Sequence, residues 1–235
     1  MFFLTLLTIL KLAHLIGLIM GFGGAILADA TIFLRGVIRP VSAYTLHQTK
    51  ALSHIVTLGL VILWTSGAGL IWVNLIDKPE YLTNQKLWAK IFIVAVLTIN
   101  GVMVHKLVLP FLRRSIGGRL FESVNAKQMA GMTLLGSISL VSWVVPFVLG
   151  KASELNYVTP MANILIVYAI CVAVAWLGMF TVMSSVQRIQ AFVKRAAALT
   201  LMPNEIWEQM APSPSAPIHG AVLPFTLSTK VAARF

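Results

Sequence analysis

The stretch Leu52–Ile76, LSHIVTLGLVILWTSGAGLIWVNLI, decides the fold. It contains no Asp, Glu, Lys or Arg, and it is as long as the roughly 20 apolar residues a helix needs to cross a bilayer. Four further runs have the same character: Phe3–Leu34, Leu87–Pro110, Met129–Gly150 and Met161–Met183. Across all 235 residues, 58% are hydrophobic and 11% are charged, against about 25% charged in soluble domains. A soluble globular enzyme, a disordered chain and a disulfide scaffold are excluded. The runs are long and continuous rather than short and alternating, which excludes a β-barrel. The expected fold is all-α: a polytopic bundle of five transmembrane helices over 1–198, then a Pro-rich cytoplasmic tail over 199–235.

The charges are placed unevenly. Arg35, Arg39 and Lys50 lie between the first two runs. Lys106, Arg113, Arg114, Arg119 and Lys127 lie between the third and fourth, and Arg188, Lys194, Arg195, Lys230 and Arg234 follow the fifth. The other two connections hold Lys78, Lys86 and Lys151. Positive charge favours the cytoplasmic side, so the N-terminus is expected outside and the C-terminus inside, in a bacterial inner membrane. The formal charge of +11 then faces anionic lipid rather than nucleic acid. Ala28-Asp29-Ala30 resembles a cleavage site, but no basic residue precedes the apolar run, so a retained first helix is expected. Val186–Leu199 reads as an amphipathic continuation of the fifth helix. Pro203, Pro212, Pro214, Pro217 and Pro224 break any helix beyond it, leaving a tail suited to docking on a partner. Cys171 is the only cysteine, so neither an internal disulfide nor a thiolate cluster forms.

Ionisable side chains at membrane depth are expensive and mark functional sites. The candidates are His14, Asp29, His54, Lys90 and His105, with Lys11 able to snorkel to the surface. Helix direction sorts them into two layers, His14 with Lys90 outside and Asp29, His54 and His105 inside. His14 and Asp29 stand fifteen residues apart, as do Lys90 and His105, so each pair falls within about 60° on its helix. Gly21 lies between the first pair and Gly101 between the second. Small residues on such a face let a flat macrocycle approach the backbone, but they serve plain helix packing more often. Imidazole suits an axial position on haem iron, which makes His14, His54 and His105 ligand candidates. The competing readings are a satisfied core histidine for His14 and headgroup-level histidines for His54 and His105. Asp29 is a candidate proton-relay carboxyl, or a partner for Arg35. Lys90 is suited to hold a propionate or another anionic group. Asn100, deep in the third run, requires a hydrogen-bond partner.

Two motifs carry a resemblance. Lys11-Leu-Ala-His-Leu-Ile-Gly17 is similar to the opening helix of the HemJ-type protoporphyrinogen oxidases and the related CopD-type copper-resistance membrane proteins. Leu87-Trp88-Ala89-Lys90-Ile91, in an apolar helix ending in Arg113-Arg114, resembles their Lys-containing helix. The resemblance covers about residues 8–115 and implies a helical bundle binding b-type haem, with His14 a ligand and Lys90 its functional companion. The HemJ-like helix usually carries a histidine near Asn100-Gly101, where the nearest here is His105, and this chain has a fifth helix. The expectation is a membrane haem b protein that passes electrons to a redox partner, with proton uptake at Asp29. The alternatives are copper handling, with Asp29, His54 and His105 as a small inner metal site, and an accessory subunit of a larger membrane complex.

Overall fold

Inside a bilayer no water is available to the backbone N–H and C=O groups, so an apolar run satisfies them within itself as a helix. The structure, a computed structural model, describes residues 2–35, 40–118 and 124–200. Among these residues there is no strand, only an isolated parallel bridge between Val41 and Ile116. Helix α1 is Phe2–Ala30 and passes into a π-helical turn, Thr31–Arg35. Helix α2 is Ala43–Asp77. Helix α3 is Gln85–Met103 and continues through a second π turn, Val104–Val108, into α4, Leu109–Arg114. Helices α5, Ala126–Lys151, and α6, Met161–Thr200, complete the order. Five helical spans are long and apolar enough to cross a membrane. The chain divides into two compact units, Met1–Phe192 and Val193–Phe235. The expected tail lies, beyond Thr200, outside the described residues.

The helix starts are set by side-chain caps. Ser42 Oγ accepts from the Thr45 N–H at 3.1 Å and starts α2 at Ala43, well before Leu52. The run Tyr44–Lys50 therefore belongs to the helix, although its polarity suggests a loop. Asn84 Oδ1 accepts from the Lys86 N–H at 3.2 Å and starts α3. Asn125 and Gln128 form a reciprocal capping box at the start of α5.

Glycine sets how the helices meet. Helices α1 and α2 approach so closely that a Cβ on Gly59 would stand 2.5 Å from the Gly21 nitrogen and 2.8 Å from the Gly17 oxygen. A Cβ on Gly17 would in turn stand 3.0 Å from the Gly59 oxygen. The glycine stripe of α1 is thus a helix-packing seam, the commoner of its two uses. From the other side the Trp143 indole of α5 lies on Gly21, in the space a Cβ would need. Trp143 is 2% exposed and packs with Ala25, Leu60, Leu63 and Leu97.

A second cluster joins α3, α5 and α6, where Ala89 and Ile93 pack with Val141, Ile164 and Tyr168. The Tyr168 hydroxyl meets Ser142 Oγ at 2.8 Å, and Trp176 Nε1 donates to the Ala130 carbonyl at 3.1 Å. The outward faces stay apolar, as at Ile9, Ile16 and Ile19 of α1 and at Ile166, Ile170 and Val174 of α6, which suits lipid contact.

The seam is testable. Gly59→Val forces a side chain against backbone atoms that cannot yield, so it should cost about 1–3 kcal/mol. Gly131→Val, where nothing lies within 4 Å, should cost far less. Thermal denaturation of the detergent-solubilised protein reads the difference, and equal midpoints for the two variants would refute the seam.

Candidate functional site

Both π turns adjoin a polar residue that the sequence singles out. Pro110 has no N–H to bond back along the helix. Before it the helix loosens, and the Leu109 N–H reaches to the Val104 carbonyl. This wider turn carries His105. Asp29 stands just ahead of the other π turn, where Thr31 Oγ1 turns back on the Leu27 carbonyl at 2.7 Å. Single π turns recur at functional sites because they shift side chains out of the regular helical register.

Asp29 and His105 line one cavity of about 310 Å³. Its walls come from α1, α2, α3 and α5 and are mostly apolar, with Ser53, Asn100, Gly101 and Trp143 among them. His105 Nε2 meets Ser53 Oγ at 2.8 Å, and Trp64 Nε1 donates to Thr98 Oγ1 at 3.1 Å. The first bridge joins α2 to the π turn that continues α3, and the second joins α2 to α3 itself. Around them Thr57, Val61, Trp64, Val102 and His105 are cavity-lining yet exposed. The cavity therefore opens sideways between α2 and α3, on a flank that lipid would cover. Asp29 is half-buried and makes no hydrogen bond or ion pair among the described side chains. The side chain of Arg35, its expected partner, lies outside them.

Two wall residues hold buried polar atoms with no partner among the described residues. Asn100 donates through Nδ2 to the Leu135 carbonyl at 3.1 Å, which satisfies the expected need for a partner, but its Oδ1 has none. Trp143 Nε1 also has none. Unpaired polar atoms at this depth are costly, and each calls for a bound group or water nearby.

The remaining candidates are placed differently from expectation. The side chain meeting His105 is Ser53 rather than its neighbour His54. His54 is exposed and outside the cavity lining, since one residue along a helix turns about 100°. His14 does not reach the cavity either. Its Nδ1 meets Ser66 Oγ at 3.0 Å, and because Ser66 donates its own proton to the Ile62 carbonyl, the His14 ring donates to Ser66. His14 is half-buried, and this bond satisfies that ring nitrogen. Lys90 lines a separate polar pocket at its own end of α3, and His14 is not part of that lining. Gly21 is not open to a macrocycle because the Trp143 ring fills the space above it. Gly101 is open, with nothing within 4 Å of a Cβ position. The expected metal site of Asp29, His54 and His105 does not form, as no three His, Cys, Asp or Glu side chains come together among the described residues.

Family models, curated proteins and solved structures contain no match to this chain.

The contact of Trp143 with Gly21 makes a testable prediction. Trp143→Ala should cost about 3–5 kcal/mol, the usual penalty for emptying a large aromatic site. Trp143→Phe removes the unpaired N–H together with the benzo-ring atoms that lie on Gly21, so it should cost about 1–3 kcal/mol, less than Trp143→Ala. Wild-type stability in Trp143→Phe, read by thermal denaturation, would refute a stabilising contact between the indole and Gly21.

Proposed function

We propose that this chain is an integral membrane haem b protein with a redox role, holding its cofactor in the α1–α2–α3–α5 cavity through His105. The observation that carries the reading is one imidazole held on the wall of a mostly apolar intramembrane cavity, which a half-buried carboxyl also lines. The residues fit the group. Apolar walls suit the faces of a macrocycle, and Gly101 leaves open the place a Cβ would fill. His105 presents a ring nitrogen whose present partner, Ser53, is a hydroxyl that readily turns to water or backbone.

Haem b, when bound, supplies a one-electron couple at its iron. The chain supplies the rest. The π turn Val104–Val108 positions the imidazole, and the apolar walls keep water from the site. Asp29 is suited to carry a proton at its carboxyl as charge nearby changes. The sideways opening admits a lipophilic cofactor directly from the bilayer. With His54 outside the cavity and His14 committed to Ser66, the reading has one protein ligand rather than a histidine pair. The basic connections favour the cytoplasmic face of a bacterial inner membrane for the His105 end.

Protein purified from haem-replete cells should show a Soret band and an α band that sharpens with dithionite. His105→Ala should abolish both, and Gly101→Leu should weaken them by filling the wall. His54→Ala and His14→Ala should keep them. Absence of both bands in the wild type, or their survival in His105→Ala, would overturn the reading.

A further inference from the structure

The opposite end of α3 holds a second pocket, of about 330 Å³ and different chemistry. Lys78, Lys86 and Lys90 all line it, and no acidic residue does. Asp77 and Glu80 flank Lys78 in the chain but stay outside the lining, while Glu154 acts on Lys86 from nearby. Lys86 is 3% exposed and is tied to the Ala152 carbonyl. Lys90 is half-buried and makes no hydrogen bond or ion pair among the described residues. An ammonium at this depth without a counter-charge is costly, and Lys86 and His14 are the groups coupled to it electrostatically.

The pocket is built rather than incidental. Asn84, whose Oδ1 caps α3, also receives the Tyr157 N–H at 3.5 Å, and its Nδ2 donates to Asn156 Oδ1 at 3.4 Å. These bonds draw the α2–α3 and α5–α6 connections together over the lysines. Tyr157 has φ of 61°, the sole left-handed non-glycine among the described residues, a strain of order 1–3 kcal/mol that such bonds must hold in place. Tyr81 and Asn74 add polar side chains to the same lining. Burial, with Tyr157 beside it, raises the Tyr81 phenol above its ordinary value, so its hydroxyl stays a donor at neutral pH.

We infer that this pocket is a binding site for a phosphate group, either the headgroup phosphate of an anionic lipid or that of a soluble phosphate compound, with Lys90 as the principal charge. Three ammonium groups with amide and phenol donors match a compact multivalent oxyanion. The inference is independent of haem, since neither Asp29 nor His105 lines this pocket.

The test uses the full chain in a neutral detergent. Its thermal midpoint is followed while inorganic phosphate is added, with chloride at equal ionic strength as control. A parallel arm adds short-chain phosphatidylglycerol, with phosphatidylcholine as control. A saturable rise is expected in at least one arm. A response to phosphatidylglycerol alone assigns the site to a lipid headgroup, and a response to inorganic phosphate assigns it to a soluble ligand. Lys90→Gln should weaken the apparent affinity roughly tenfold, whereas Lys50→Gln, on the other end of α2, should leave it unchanged. Should Lys90→Gln fail to fold, Lys78→Gln, whose side chain is exposed, should still weaken binding roughly threefold. No saturable response beyond the controls, or wild-type affinity in both pocket variants, would overturn the proposal.

Discussion

The contact on which the remaining architecture depends is the backbone approach of α1 to α2 at Gly17, Gly21 and Gly59. Lipid tails give apolar helices little reason to associate, so association rests on van der Waals contact and on residues small enough to permit it. With no side chain at Gly59, the two helices pack as one unit. Gly21 then offers a shallow depression on the far side, and Trp143 of α5 fills it. One short stripe thus fixes two interfaces.

The cavity is the consequence. Trp143 closes it on the α5 side, and Ala25 and Leu60 close it toward the seam. Among the described residues, no comparable glycine seam joins α2 to α3 at this level. The Ser53–His105 and Trp64–Thr98 bridges span the gap instead. A packed leucine interface in the same place would have sealed the site. The other end of the bundle is organised differently, by Asn84 bonding to the α5–α6 connection above a set of lysines. The two ends therefore have distinct chemistries, an apolar chamber with a carboxyl and an imidazole at one, and a cationic polar pocket at the other.

Much of this is legible in the residues. Length and apolarity predict each span, and the fifth helix does continue past Met183, to Thr200. The glycine stripe is readable as packing, and Asp29, Gly101 and His105 are readable as polar or open positions on the inward faces of their helices. What misleads is register. Counting along the helices puts His54 and His105 at one depth, but facing depends on where neighbouring helices lie. A displacement by one residue replaces an imidazole with the Ser53 hydroxyl and removes the metal site with it. The helical stretch from Ala43 is masked by its polar residues, although Ser42 is an ordinary capping residue and offers the signal. Pro110 is a similar signal for the disturbed turn around His105.

The sequence by itself determined that the chain forms five apolar helical spans. A backbone in lipid must satisfy its own polar groups, and that requirement is local to each run. It also determined which few polar residues lie at depth. Only the tertiary structure decided which of them share a space. It separated His54 from His105, took Gly21 for Trp143, and put Lys90 with Lys86 and Lys78 in a pocket of their own. Those outcomes follow from the rotation of each helix about its axis, which is set by close contacts between runs far apart in the chain.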